Sequence, residues 1–380
     1  MMAGNSSVQP VAVTGVVDDE FAPLRDVLAR LVAIQGRGGA ALCIYRDGRP
    51  VVDLVAGEVA VDGVQLLYSV TKAVTAIVLA EAEEHGVFDP DEPLAEHWPE
   101  FTRVSTLGVT TRMVLTHRSG VASLDRRLSF EELLAGVADE AVAAQEPYWE
   151  PDTDHGYHSF TFGPLVDGIL RRTLGRDTSE LLRPIAAEFG LDLWIGAPAG
   201  LDARIAPTIL DVPRRTLDRA AWAQRSGIPA GTTSRLAAER DLFNDPRFLA
   251  LRLPSTTGIG DARSLARLFA ATIGEVDGRR LLSAAALGRM TRLRSAGTDR
   301  VLGFRTRFGS GVQRPFPAFP MLGPSSFGHE AAGGSVAFAD PDSGLAVGFT
   351  TNVHPAVPGA HPTFLALLPS IRECLETVSD

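Results

Sequence analysis

Apolar positions recur at helical spacing in four stretches of the chain. This spacing predicts helices over residues 18–35, 69–85, 261–275 and 363–378. The first stretch begins with acidic residues, which suit the positive end of a helix dipole. The second is followed by Gly86, a residue type that commonly closes helices because it accepts a left-handed backbone. Helices are therefore expected near both ends of the chain.

Other stretches are short apolar or alternating runs of the kind that form strands. Residues 38–45 and 50–57 are separated by a turn at 46–49, which predicts a β-hairpin. Residues 335–340 and 345–352 repeat this arrangement near the other end of the chain. Because strands joined as hairpins pair in opposite directions, we expect an antiparallel sheet and no βαβ units.

The middle of the chain has few alternating runs and is predicted to be mostly helical. The predicted fold class is α/β (α+β): an antiparallel sheet flanked by helices and formed by both chain termini, with an inserted helical lobe. The sheet domain would comprise residues 18–90 and 260–380, and the lobe residues 91–259. Residues 1–17 are predicted to be a flexible N-terminal tail.

Composition narrows the class of partner. The 380 residues are 45% hydrophobic and 22% charged, as in ordinary globular proteins, and the net charge of −10 argues against nucleic acid. There is no basic cluster for a membrane surface, no signal-like N-terminus and no long apolar run, so we expect a cytoplasmic protein. Cys43 and Cys374 are predicted to be free thiols. We expect no metal and no cofactor, and the oligomeric state is left open.

The basic residues contain one exception that points to chemistry. Of the 36 Lys and Arg residues, 35 are Arg and one, Lys72, is Lys. A lysine can give up its proton in a protein, whereas an arginine cannot. Ser69 precedes Lys72 by three residues, so both lie on one face at the start of a predicted helix. Ser69 is thus a candidate nucleophile with Lys72 as its base; the alternative is an N-cap serine and a solvated lysine.

A second candidate element lies in the predicted helical lobe. Tyr157 is one of four tyrosines and precedes Ser159 by two residues. A phenol close to an ammonium ionises more easily and could take the serine proton and later pass it on. The alternative interpretation of Tyr157 is an ordinary buried aromatic residue.

A third candidate element is the segment 327–340, in which small residues precede a predicted strand. Small side chains let a substrate or another backbone approach closely. The backbone N–H of Ala332 could join that of Ser69 as an oxyanion hole. The alternative is a glycine-rich turn that only leads into an edge strand.

The order of these three elements resembles the serine β-lactamase and penicillin-binding-protein superfamily. The chain looks most like its class C branch, and within that branch like the family VIII carboxylesterases. The similarity runs from about residue 20 to the C-terminus. It is carried by residues 66–76, 114–121, 147–163, 191–198 and 327–335.

The resemblance implies a role for each matching residue. Ser69 would be the acylated nucleophile, Lys72 its proton partner and Tyr157 the general base and acid. The backbone N–H groups of Ser69 and Ala332 would form the oxyanion hole, and His117 would be structural. The implied substrate contacts are Tyr68, Ser159, His329, Glu330, Ala331 and Gly333.

The sequence departs from relatives that act on β-lactams. His329 stands where they have Lys or His, but Glu330 replaces a hydroxyl residue and Ala331 replaces Gly. Their basic group and hydroxyl hold the substrate carboxylate, whereas Glu330 would repel an anion. Asp152 also occupies a position where many relatives have Gly, which tolerates unusual backbone angles better.

These features favour an esterase that cleaves small neutral acyl esters through an acylated Ser69. The alternative is an acyltransferase that passes the same acyl group to an amine or an alcohol. A β-lactamase or D-Ala-D-Ala peptidase is disfavoured by Glu330. A binding module on an inactive scaffold is disfavoured because Ser69, Lys72 and Tyr157 are all present.

Overall fold

Helices form at each of the four stretches with helical spacing, and others lie between them. A computed structural model describes residues 11–101, 103, 105–210, 227–229 and 231–376. The α-helices in this part of the chain are α1 (Pro23–Gln35), α2 (Val70–Glu84), α3 (Thr111–Leu115), α4 (Phe130–Leu134), α5 (Ala138–Ala144), α6 (Phe162–Leu174), α7 (Thr178–Phe189), α8 (Thr232–Glu239), α9 (Pro246–Leu249), α10 (Ala262–Ile273), α11 (Ala284–Thr291) and α12 (Pro362–Glu376). Short 3₁₀ turns occur at Asp19–Phe21, Leu94–Glu96, Pro99–Phe101, Asp202–Arg204 and Leu242–Asn244.

The strands form one large sheet and several small ones. They are β1 (Val13–Val17), β2 (Gly39–Arg46), β3 (Arg49–Gly57), β4 (Gln65–Leu66), β5 (Leu193–Ile195), β6 (Ile209–Leu210), β7 (Gly258–Gly260), β8 (Ser295–Thr298), β9 (Arg305–Phe308), β10 (Phe327–Glu330), β11 (Val336–Asp340), β12 (Leu345–Thr351) and β13 (Val353–His354). The large sheet has the order β1-β3-β2-β12-β11-β10, and every neighbouring pair in it is antiparallel. A second sheet, β4-β7-β5, lies next to the start of α2.

The centre of the large sheet joins the two ends of the chain. β2 pairs with β12 in a register that sets Cys43 opposite Gly348. The first three strands come from the N-terminal region and the last three from the C-terminal region, with most of the helices between them in sequence. The predicted fold class, an antiparallel sheet formed by both termini and flanked by helices, is confirmed. The domain boundaries at residues 90 and 260 stay predictions.

The predicted hairpin forms, but part of the predicted N-terminal tail is a strand. Asp47 and Gly48 link β2 to β3 with φ of 48° and 77°, the doubly left-handed turn that matches strand twist. Val13–Val17, expected to be flexible, instead pairs with β3 as the edge strand β1. Its residues are mostly exposed, so it is held by backbone hydrogen bonds and leaves little apolar pattern in the sequence. The tail predicted for residues 1–10 lies outside the described residues.

Two hydrophobic cores lie on opposite faces of the sheet. On one face α10 packs against β2, β11 and β12, and this core continues around α2 into the helical region. Gly348 allows the close approach, because a Cβ there would lie 2.2 Å from the carbonyl oxygen of Ala262. On the other face α1 and α12 pack on each other and cover the sheet. The first core positions α2, and with it Ser69.

Candidate active site

Ser69 lies where the chain turns from β4 into α2. Leu67 donates its N–H to the carbonyl of Gly258, which ties this turn to β7. The next residue, Tyr68, has a left-handed backbone with φ of 48°, uncommon for a bulky residue. Ser69 is partly exposed, and its side chain makes no capping hydrogen bond to α2. Ser69 thus occupies the N-cap position of α2 without capping the helix through its side chain, and its hydroxyl is available for chemistry.

Lys72 is completely buried one turn into α2. The interpretation as a solvated lysine is therefore wrong. Its Nζ lies 3.4 Å from Ser69 Oγ and 2.9 Å from the carbonyl oxygens of both Ser159 and Ser255. Burial lowers the pKa of Lys72 well below its usual range, and no carboxylate among the described residues raises it. The neutral amine is thereby favoured.

The three neighbours of the Lys72 amine define the direction of its lone pair. A neutral amine has two hydrogens and one lone pair. The carbonyl oxygens of Ser159 and Ser255 accept hydrogen bonds and donate none, so they take both hydrogens. The lone pair is left for the third neighbour, Ser69 Oγ, whose hydroxyl can donate to it. This arrangement suits removal of the serine proton.

Tyr157 lies beside the amine and borders the same cleft. Lys72 Nζ is 5.0 Å from the centre of its ring, and 9% of the residue is exposed. His117 and Phe308 pack against the ring with centroid distances of 4.9 and 6.2 Å. The ring of Tyr157 is thus held beside Lys72 at the cleft that Ser69 also borders, which suits the proton-transfer role expected of its phenol.

A buried aspartate, missed in the sequence analysis, holds the Tyr157 segment. Asp299 Oδ1 accepts the backbone N–H groups of Tyr157, Val301 and Leu302 at 3.0, 2.8 and 2.8 Å. Its Oδ2 accepts from the hydroxyl of Thr306 at 3.3 Å. Val301 and Leu302 also line the cleft. No sequence motif surrounds Asp299. Its role follows from its contact with Tyr157, which lies 142 residues earlier in the chain.

Behind Tyr157 lies a network of buried histidines. His117 has a left-handed backbone with φ of 61°, and its Nδ1 accepts the backbone N–H of His158 at 3.1 Å. The His158 ring bonds to Ser119 Oγ at 2.6 Å and to the carbonyl of Gly156 at 2.7 Å. Burial lowers the pKa of His158 to about 4. These contacts support the predicted structural role of His117.

The turn after β10 carries the second predicted oxyanion donor. The N–H of Ala331 donates to Ser335, and that of Gly334 donates to Ala331, so the turn is closed by its own hydrogen bonds. The N–H groups of Ala332 and Ser69 donate to no other described residue, and both residues border the cleft. Two unused N–H groups at one cleft suit a developing oxyanion.

Gly333 has a different position from the one predicted. A Cβ at Gly333 would lie 2.1 Å from the ring of Tyr68, so the glycine permits close packing beneath that ring. It is buried and is not part of the cleft wall, in contrast to the predicted substrate contact. Asp152 does have the unusual backbone that the replaced glycine suggested, with φ of 67°.

His329 and Glu330 end β10 at the cleft. His329 Nδ1 bonds to the carbonyl of Glu330 at 2.5 Å, and its buried Nε2 has no partner among the described residues. Burial lowers the pKa of His329 to about 3, so the ring is neutral. Glu330 Oε2 accepts the N–H of Ala360 at 2.7 Å, and burial raises the pKa of Glu330 to about 7.

The cleft has a volume of about 1220 Å³ including its open mouth. Apart from Lys72, which lies buried behind Ser69, and Gly333, the predicted site residues all border it. Among the described lining residues there is no Arg or Lys and one carboxyl group, that of Glu330. The wall is otherwise largely apolar. Lining residues that the sequence analysis missed include Ile228, Phe243, Val301, Leu302, Phe304 and His354.

Fold and site together define a serine hydrolase that pairs a serine with a lysine on the first turn of a helix. The profile of the Beta-lactamase family matches residues 24–368, and the chain belongs to that family. It is 31% identical to the esterase/β-lactamase LipL of Mycobacterium tuberculosis over 390 residues, covering 95% of this chain and 88% of that protein.

Solved structures give the same assignment. A family VIII carboxylesterase superimposes with a TM-score of 0.84 at 27% identity, over 96% of this chain and all of that one. A penicillin-binding-protein homologue from Caulobacter crescentus superimposes with a TM-score of 0.83 at 30% identity, over 96% of this chain and all of that one. The predicted resemblance is therefore confirmed. Within the described part of the chain, none of the helices has the length and apolar character needed to cross a bilayer.

Proposed function

We propose that the protein is a carboxylesterase that cleaves small acyl esters through an acyl-enzyme on Ser69. The observation that carries this proposal is the buried Lys72 amine, which has no carboxylate partner among the described residues and whose lone pair is left for Ser69 Oγ at 3.4 Å. The similarity to a family VIII carboxylesterase and to an esterase/β-lactamase supports the reaction class.

In the proposed acylation step, Ser69 Oγ attacks the ester carbonyl while its proton passes to Lys72 or Tyr157. The N–H groups of Ser69 and Ala332 stabilise the oxyanion of the tetrahedral intermediate. Collapse of this intermediate breaks the bond to the alcohol oxygen, which leaves with a proton from Tyr157. The acyl group then remains on Ser69 as an ester.

In the proposed second step, water attacks the acyl-enzyme and gives up its proton to the same Lys72 and Tyr157 pair. The acid is released and the Ser69 hydroxyl is restored. An amine or alcohol in the place of water would give acyl transfer, which is the second candidate function. The apolar wall around Phe304 and Leu302 favours it, because such a wall disfavours bound water.

The cleft favours esters without an anionic group. No Arg or Lys lines its described wall, so a substrate carboxylate has no cationic partner. Glu330 would repel such a carboxylate when ionised. This argues for small neutral acyl esters and against β-lactams or D-Ala-D-Ala peptides, which carry a carboxylate.

The proposal is tested with p-nitrophenyl acetate and butyrate. We expect rapid release of p-nitrophenol by the native protein, and at least a ~10³-fold lower rate with Ser69→Ala, because the nucleophile is lost. A fluorophosphonate should add its mass to Ser69 in the native protein alone. Addition of an amine or an alcohol should leave hydrolysis dominant.

Two outcomes would contradict it. Equal rates for the native protein and Ser69→Ala would exclude the acyl-enzyme. Predominant formation of amide or new ester at millimolar acceptor would replace hydrolysis by acyl transfer as the function.

A further inference from the structure

Only one of the two carboxyl oxygens of Glu330 has a hydrogen-bond partner among the described residues. Its Oε2 accepts the N–H of Ala360 at 2.7 Å, which orients the group. Its Oε1 has no hydrogen-bond or ion-pair partner among the described residues, and the residue lines the active cleft. Gly359 makes room for the group, because a Cβ there would lie 3.3 Å from Oε2. One carboxylate oxygen is thus held by the loop, and the other is open to a ligand.

The described residues around the cleft supply no cation for this carboxyl group. His329 on the same strand and His354 elsewhere in the cleft wall both have a pKa lowered by burial, so both are neutral near pH 7. The described wall contains no Arg or Lys. A carboxylate in such a place is costly unless a positive group pairs with it. The missing partner can be supplied by the substrate.

Aromatic side chains in the same cleft strengthen this preference. The rings of Tyr157, Phe243 and Phe304 line the cleft together with Glu330. Quaternary and protonated amines are attracted by the faces of aromatic rings as well as by carboxylates. An apolar aromatic cleft with one carboxylate therefore suits a cationic organic group better than it suits an anion.

We propose that Glu330 is an ammonium-binding subsite, so that esters bearing a quaternary or protonated amine are preferred over uncharged esters of the same shape. This extends the substrate class beyond small neutral esters, and it rests on the proposed esterase function. Glu330 acts on binding and on the stability of the bound ester. It takes no part in the proton transfers of Ser69, Lys72 and Tyr157.

The test compares acetylthiocholine with 3,3-dimethylbutyl thioacetate, which has the same shape with carbon in place of the charged nitrogen. We expect kcat/KM of the native enzyme to be about 10-fold or more higher for the cationic ester, which corresponds to one close charge pair. Glu330→Gln keeps the size of the side chain and an acceptor for Ala360. This variant should bring the ratio of kcat/KM for the cationic ester to kcat/KM for the uncharged ester to about 1, by lowering kcat/KM for the cationic ester alone.

Glu140→Gln is the matched control. Glu140 is exposed on α5, away from the cleft wall, so this variant removes one negative charge from the same chain. It should keep the native ratio. A native ratio near 1 would overturn the proposal, and so would a Glu330→Gln variant that loses both activities equally.

A second readout does not depend on turnover. Choline should slow fluorophosphonate labelling of Ser69 in the native enzyme, 3,3-dimethylbutanol should do so much less, and Glu330→Gln should abolish the difference. Equal protection by both alcohols would overturn the subsite while leaving the esterase intact. Absence of both labelling and hydrolysis would instead refute the proposed function and, with it, the subsite.

Discussion

At the scale of single residues, the contrast between Lys72 and the 35 arginines has a physical basis. The amine is fully buried, and the neighbours it touches are two carbonyl oxygens and Ser69 Oγ. An arginine would carry a permanent charge into this place. A lysine can enter it neutral, with its lone pair available. The sole lysine of the chain is thus at a buried position where a neutral amine serves the proposed chemistry.

Substitution of Lys72 tests this directly. We expect Lys72→Arg to lower kcat/KM of the native ester reaction by about 10³-fold, within the range attributed to general bases. Lys72→Met keeps the approximate volume without the amine and should lose as much activity while remaining folded. Arg30→Lys, an exchange at an exposed site on α1, is the control and should change nothing. Near-native turnover in both Lys72 variants would show that Lys72 is not the base.

The sequence predicted the chemical residues better than it predicted the walls around them. Ser69 and Lys72 are three residues apart on one helix, so their proximity is local and visible in the sequence. Phe243, Phe304 and His354 come from distant parts of the chain and meet only after folding. The family resemblance implied that Gly333 contacts the substrate, but the group that approaches it is the ring of Tyr68.

At the scale of structural elements, Asp299 joins two loops that border the cleft. One carboxylate oxygen accepts N–H groups from the Tyr157 segment and from the segment containing Val301 and Leu302. Three donors on one buried oxygen form a strong, directional tie. The position of the Tyr157 phenol and the position of the cleft wall are therefore coupled.

A double-mutant cycle tests this coupling. We expect Asp299→Ala to lower kcat by about 10- to 100-fold, because a small displacement of a catalytic group is costly. In a Tyr157→Phe background the same change should cost less than about 3-fold, because the phenol that Asp299 positions is already gone. Asp299→Asn retains an acceptor oxygen and should recover part of the activity. It also serves as the test if the alanine variant does not fold.

Additive effects of the two substitutions would contradict this role. If Asp299→Ala lowers kcat by the same factor in the native enzyme and in the Tyr157→Phe variant, Asp299 stabilises the fold without positioning the phenol. Thermal unfolding of each variant, measured beside kcat and KM, separates loss of folded protein from loss of turnover.

The elements themselves were predictable to different degrees. The hairpin between β2 and β3 and the helices α2, α10 and α12 have strong periodic patterns and clear turn signals. The edge strand β1 was missed because its side chains are mostly exposed and its pairing uses only the backbone. The alternation of apolar and polar residues in a sequence reflects burial, and an edge strand whose side chains are mostly exposed shows little of this alternation.

At the scale of the whole molecule, one of the two hydrophobic cores contributes to folding stability without forming part of the active cleft. The core beneath α1 and α12 lies on the face of the sheet opposite to α10, and none of its fully buried residues lines the cleft. Substitutions there should change the free energy of unfolding without changing the chemistry of the folded enzyme.

Two leucines of α12 provide a matched test. Leu367 is fully buried in this core, whereas Leu365 on the same helix is 38% exposed. We expect Leu367→Ala to lower the free energy of unfolding by about 2–5 kcal/mol, because it leaves a cavity. Leu365→Ala should cost less than about 1 kcal/mol. Urea unfolding measures both, and kcat of the folded variants should stay native; equal costs would contradict the assigned burial.

A chain with a single lysine also has a spectroscopic use. If the protein is produced with lysine enriched in ¹³C at Cε, the NMR spectrum contains one side-chain resonance from that residue type, and it needs no assignment. Its chemical shift follows the protonation of the amine as pH changes. The resonance would also respond when Ser69 becomes acylated, because the hydroxyl 3.4 Å from Nζ is then an ester. One native atom would thus report both the charge of Lys72 and the progress of the reaction.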